Sequence, residues 1–475
     1  MTGLSLIAAV SVPLAQVRAQ TALREMDGLH TLMRYPNLHG DRVVFVAHGN
    51  LWEVPRKGGA ARRLTADPGD DFLPRYSPDG QWIAFTASYQ GNQDVYVMPS
   101  GGGPARRLTF HSDIAAKAPD RWAPDNMVMT WTPDSRSIVF SSRALAWNSW
   151  INRPFTVPLT GGLPTPLPLD RSGFMTYGPD GHTVALTRIL RDFRTWKRYD
   201  GGLAQNVFTY DLNSHRMAQV TDWSGTATQP MWFGHKIYFL ADHDSNRRAN
   251  IWVLDLETHQ TRQLTHFTDF DVDFPSLGDS GLTFQQGGSL WVMDLPSEEL
   301  HRLDVTVPDD GMRTMQRPVA VADAIRASDY AHEANFAIAP NGRRAALVAR
   351  GDLFSLPAQY GAVRNLTRSS DADDEHPVFS PDGSQLAYTS DENGEQQIWL
   401  RPVDGGPARQ LTHFRDGYRY APIFSADGKQ LAFSDNNNRL WVMTIGSDPV
   451  PVAQDIQDEI HDQAFSPDGH YLAFS

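Results

Sequence analysis

The stretch best equipped for chemistry is RDFRTWKRYDGG, residues 191–202, where Arg191, Arg194, Lys197 and Arg198 cluster in an otherwise acidic chain. A guanidinium offers paired donors to a carboxylate, so Arg194, Lys197 and Arg198 are candidate substrate-binding residues. The plainer alternative is a long hairpin with solvated basic side chains. Other candidates fail on spacing. GDSG at 278–281 has the look of a serine nucleophile loop, but Leu282 stands where a second glycine should follow, and a turn explains it better. Asp242 and Asp244 open like a calcium loop, yet Arg247 replaces its required glycine and Val253 its closing glutamate. GGGPARR at 101 lacks the Lys-Ser/Thr ending of a phosphate loop. DADDEH at 371 reads as a solvated loop, and NLT at Asn365 as a strand end. No G-x-S-x-G elbow occurs, and the absence of cysteine removes thiolate catalysis, thiolate metal sites and disulfides. The expectation is a chain with no catalytic residue, metal ligand set or cofactor of its own.

What positions these residues is a repeat. SPDG or a close variant stands at Ser77, Thr132, Gly178, Ala339, Ser380, Ser425 and Ser466, and the last four starts are 41, 45 and 41 residues apart. Proline presets one turn dihedral, aspartate can bond the local backbone, and glycine accepts the left-handed conformation of a tight hairpin. An alternating strand follows, as in QWIAFTAS at Gln81. Then come a strand with a central aromatic, as in DVYVMP at Asp94, and a Gly-rich turn ending in LT. Period-2 alternation at this repeat length predicts an all-β fold of four-stranded propeller blades.

Six units fit residues 32–305, predicting a six-bladed β-propeller. Residues 306–335 break the pattern and read as a linker. From Phe336 the repeat restarts, and residues 336–475 hold three units and one opening strand, fewer than the four blades of a closed ring. The second propeller is therefore expected to be incomplete. Residues 1–19 include the apolar run LSLIAAVSVPLA and suit a cleavable export signal, although no Lys or Arg precedes the run. A periplasmic or secreted location is the corresponding expectation, with a cytoplasmic one as the alternative. The net charge of -13 argues against nucleic acid, and no apolar stretch reaches the ~18 residues of a membrane span.

Six SPDG-type units, a break and a second propeller resemble the N-terminal half of the tricorn-type serine peptidases. The phrases FTVPLTGGLPTPLPL at Phe155, FRTWKRYDGG at Phe193 and IYFLADHDSNRRANIW at Ile237 are similar to that family in order and spacing. The resemblance implies a substrate-gating region, with propeller channels filtering peptides or unfolded polypeptide. It also implies catalytic domains beyond Ser475 and a homo-oligomer for the full-length protein. It transfers no catalytic residue to this chain. The alternatives are a TolB-like periplasmic protein-binding propeller without enzymatic activity, and a prolyl-oligopeptidase relative. The second would normally carry one propeller, so the break at Thr306 counts against it.

Overall fold

The structure, a computed structural model, describes residues 32–111, 125–146, 151–193, 199–308, 335–349, 351–369, 371–456, 459–460 and 462–475. Every regular element among them is a β-strand. Six four-stranded antiparallel sheets account for the first propeller, each built from one continuous stretch of chain. Their innermost strands are Arg34–His39, Asp71–Tyr76, Met127–Trp131, Met175–Tyr177, Ala227–Phe233 and Val272–Leu277. Each inner strand packs against its neighbour, and Arg34–His39 also packs against Val272–Leu277, so the ring closes.

No four-stranded sheet is shared between the two ends of this ring. Asn37 instead stitches blade 1 to blade 6, donating to Ser276 Oγ at 3.0 Å and Leu277 O at 3.1 Å. The Tyr35 N–H reaches Gln285 Oε1 at 2.9 Å, and Arg56 reaches Ser280 and Asp294. A short strand, Val305–Thr306, then pairs in parallel with Gly59–Ala60. It crosses the position where the sequence pattern stopped, and Val307 behind it is buried. Gly58 permits this approach: a Cβ there would lie 2.5 Å from Asp304 O, at a φ of +86°.

Three further four-stranded sheets begin at Phe336–Ile338, Asp374–Phe379 and Ile423–Phe424, and the two-stranded pair Ala464–Phe465 and Leu472–Ala473 follows them. The all-β architecture of a six-bladed propeller and an incomplete second one is thus observed.

Two repeated devices hold the blades together. In SPDG, Ser77 Oγ donates to Asp79 Oδ1 and accepts the N–H of Trp82, while the Gly80 N–H returns to Ser77 O. Ser380, Ser425 and Ser466 repeat the serine–aspartate bond. The threonine of each LT ending is a clamp. Thr65, Thr109, Thr265, Thr367 and Thr412 each accept the N–H that opens the neighbouring third strand, at 2.8–3.0 Å. Asn365 belongs to the same device, donating to Asp352. GDSG is the turn expected of it, with the Gly278 N–H bonded to Gly281 O. Asp244 likewise accepts a local N–H of its hairpin, from Asn246, and Asp242 accepts the Thr226 N–H.

Candidate functional site: the first propeller's axis and its junction with the second

The inner strands carry a feature that SPDG overshadows in the sequence. Tyr35-Pro36, Leu73-Pro74, Gln229-Pro230, Phe274-Pro275 and His376-Pro377 each mark a β-bulge, with the first residue at a φ between 45° and 54°. A bulge leaves one residue out of the ladder, so proline, which lacks an N–H, costs nothing there. The signal was available as a proline three residues before Ser77 and Ser380, at Pro74 and Pro377.

These bulges direct large side chains onto the axis. Phe274 of blade 6 lies 4.7 Å from Tyr35 of blade 1 and 6.3 Å from Phe174 of blade 4 (ring centroids). Blades 4 and 6 are not neighbours, so this contact spans the central passage. Phe193 packs 5.1 Å from Phe274, and Phe72 lies 6.3 Å from Tyr35. With buried Leu73 and Met129, these rings form an apolar plug. Burial of several aromatic rings, at 150–250 Å² each, makes such a plug a stable closure.

On one side of the plug is an acidic mouth of about 150 Å³, lined by Asp192, Asp242, Asp271 and Asp273 together with Arg191 and Gln229. Asp192 is fixed by Thr228 at 2.7 Å and by Gln205 and Gln229 at 2.9 Å each. The Asp273 carboxyl sits above the usual carboxylate range, because the walls exclude water and Asp271 and Asp192 add negative charge. It keeps an open edge to solvent. On the other side lies a cavity of about 40 Å³ lined by residues of blades 2 to 6, among them Arg75, Thr130, Thr176 and Ser276.

The mouth adjoins the second propeller. The blade 4 hairpin that continues from Phe193 re-enters the described residues at Tyr199, whose hydroxyl donates to Glu395 Oε1 at 2.6 Å. Glu395, 8% exposed, also accepts the N–H groups of Gly202 and Gln396 at 2.9 and 2.8 Å, and Arg419 Nη1 lies 3.8 Å away. Asp200 N–H bonds Gly394 O, and Arg247 grips the Asp200 carboxylate at 2.8 and 2.6 Å. The Arg191 guanidinium stacks over the Tyr199 ring at 4.4 Å. Burial and the Glu395 charge raise the Tyr199 hydroxyl above the usual phenol range. Burial lowers Arg191 to about 10.

Sequence spacing dictates this contact. A Cβ on Gly202 would stand 2.7 Å from Arg415 O and 2.8 Å from Asp416 Cα, so position 202 must lack a side chain for the phrase to dock. Beside it a cleft of about 490 Å³ opens between the propellers, bordered by Arg188, Gln205, Phe208, Asp416, Asn436 and Asn437. Arg194, Lys197 and Arg198 lie outside the described residues, as do residues 1–19 and most of 306–335. Sequence reasoning missed Arg75, Tyr199 and Glu395. Only Tyr199 stood in a stretch already singled out.

His235, Asp255 and Glu257 have ligand atoms within 4.8 Å of one another. Asp255 there accepts the Glu257 and Thr258 N–H groups, which is a turn's work. No helix among the described residues is long and apolar enough to cross a membrane.

Comparison with known proteins agrees with this architecture. The family described as Tricorn protease N-terminal beta propeller domain matches residues 30–299, and the TolB beta propeller domain matches residues 323–475. Tricorn protease homolog 1 of Streptomyces coelicolor is 29% identical over 380 residues, covering 78% of this chain and 33% of that protein. Tricorn protease of Thermoplasma acidophilum is 28% identical over 288 residues, covering 60% and 26%. The crystal structure of the tricorn protease matches with a TM-score of 0.52 at 20% identity, covering 94% of this chain and 41% of the other. The chain thus spans about a quarter to a third of the length of these curated relatives. On the family match to its first propeller, the chain belongs to the tricorn protease N-terminal beta propeller family.

Proposed function

We propose that this chain is the non-catalytic gating region of a tricorn-like serine peptidase, and that the axis of its first propeller is a passage for peptides. The observation that carries the reading is the axial plug: aromatic side chains from four blades close a passage that is polar on both sides. Side-chain rotation can open such a closure without breaking a blade, because Tyr35 and Phe274 hang from bulges outside the ladder. The junction supports it too, since Tyr199 lines a small cavity together with Asp373, Glu375 and Gln396 of the second propeller. A role for Arg194, Lys197 and Arg198 in holding a peptide's carboxylate rests on chain position. Phe193 on one side belongs to the plug, and Tyr199 on the other to the junction.

Phe193→Ala with Phe274→Ala in the complete gene product tests the gate. The expected result is a severalfold change in hydrolysis of longer peptides, with a dipeptide-sized reporter unaffected. An unchanged dependence of rate on peptide length overturns it. The 475-residue chain alone is expected to hydrolyse no peptide, and turnover that stays with the pure chain would remove the non-catalytic assignment.

A further inference from the structure

We propose that the cleft between the two propellers is a binding site for an internal, extended segment of peptide, held by its backbone amides and apolar side chains and not by its ends. The cleft measures about 490 Å³, within the roughly 300–1,000 Å³ usual for sites that enclose a small ligand. It extends to Gln219 on the outermost strand of blade 4. None of the rings of the axial plug lines it.

Each propeller brings polar groups to this cleft that the fold leaves unused. On the first propeller's side Asn152 is 5% exposed, and its Nδ2 is buried without a hydrogen-bond partner. A buried donor left in that state costs about 1–3 kcal/mol. Arg188 is exposed, and its guanidinium makes no hydrogen bond or ion pair among the described residues. On the second propeller's side the exposed Asp416 carboxylate makes none either. Asn437 spends its N–H on Asp435, and its side-chain amide has no partner among the described residues. That amide lies over the Gly417 turn, where a Cβ would meet Asn437 Nδ2 at 3.4 Å.

These groups define the class of ligand. Donors and acceptors are both on offer, so the ligand carries both. Arg188 and Asp416 bring opposite charges from the two propellers, and Arg171, also in the lining, already pairs with Asp170 at 3.0 Å, so no net charge is selected. The apolar lining is mostly aliphatic, with Ile151, Leu190 and Leu203 beside Phe208. An extended peptide matches all of this, because its backbone alternates donors and acceptors while its side chains point to either face. A sugar chain offers similar hydrogen bonding, but its ring faces stack on flat aromatic side chains, and Phe208 alone supplies one among the described residues. Because Leu203 and Ala204 of the docking hairpin and Asp416 of its landing site all line the cleft, an occupant also ties the two propellers together. The site shares with the proposed passage only its class of ligand.

The test is isothermal titration calorimetry of the 475-residue chain with a tetrapeptide of alternating alanine and leucine, acetylated at one end and amidated at the other. We expect saturable binding, and equal affinity for the same peptide with free ends. Asn437→Ala should weaken binding about fivefold, consistent with one lost hydrogen bond. Ala204→Phe, which fills the cleft from its wall, should abolish it; Asn437→Ala serves alone if Ala204→Phe disturbs the hairpin. Overturning results are no saturable binding, binding that neither variant changes, binding only of the peptide with a free carboxyl end, or binding of maltotetraose and not of the peptide. Repeating the titration on the complete gene product separates a ligand in solution from a segment of the same chain. Binding there as well supports the proposal, and its loss there reassigns the cleft to that segment. The axial variant Phe193→Ala with Phe274→Ala reads the passage and these cleft variants read this site, so failure of one reading leaves the other standing.

Discussion

Thr109 shows how one hydroxyl can decide the register of a blade. It accepts the Val95 N–H at 2.9 Å and donates to Asp94 at 2.7 Å, and all three groups are buried. Asp94 is also gripped by Arg107 at 2.5 Å, yet burial still holds its carboxyl above the usual range. Thr109→Val keeps the shape and leaves a buried N–H and a carboxylate oxygen short of a partner. A loss of about 1–3 kcal/mol is expected, read as a lower urea midpoint at unchanged slope. The serine of SPDG is similar in kind. Proline, aspartate and glycine explain a turn, but the serine fastens that turn to the strand that follows, as at Ser77 and Trp82.

Among the elements, the blade 4 hairpin does the most unusual work, since one end joins the axial stack and the other docks the second propeller. Gly202→Ala should push the hairpin off the backbone at Arg415 and Asp416. The expected outcome is two separable unfolding transitions in calorimetry and faster proteolytic cutting between the propellers, with both sets of blades intact. The strands and their order were legible because turn chemistry and alternation are local and recur along the chain, every 41–45 residues over the last four units. The axial plug was not. Tyr35, Phe174 and Phe274 are far apart in the chain and converge only when the ring closes, so no window of sequence contains them together. The junction was half legible: the phrase was singled out for its basic residues, whereas its described contacts come from Tyr199, Asp200 and Gly202. Glu395 carries no local signal for the junction, because its partners there, Tyr199 and Gly202, lie almost two hundred residues away.

At the scale of the whole molecule, the union of the propellers depends on pH. Asp391 is buried at the junction and its carboxyl is raised to about 6, chiefly by burial, with Asp374 adding to the rise and the Asp373 N–H and Arg191 opposing it. The folded protein thus holds this proton up to about pH 6, while the unfolded chain releases it near pH 4. Its contribution to stability is complete below about pH 4 and is lost as pH rises towards 6. Asp391→Asn should flatten that slope and raise the unfolding midpoint at pH 7, measured by calorimetry across pH 4–7. The short parallel pairing of Val305–Thr306 with Gly59–Ala60 has a consequence of another kind. The ring's last seam joins residues almost 250 positions apart, and no strand exchange between the end blades prepares it. On the ribosome, at roughly 5–20 residues per second, blade 1 must wait on the order of tens of seconds for its neighbour to be synthesised. During that wait its Tyr35 face is bare. Newly made chains are therefore most vulnerable to chaperone capture and to mispairing with one another before residue 306 emerges.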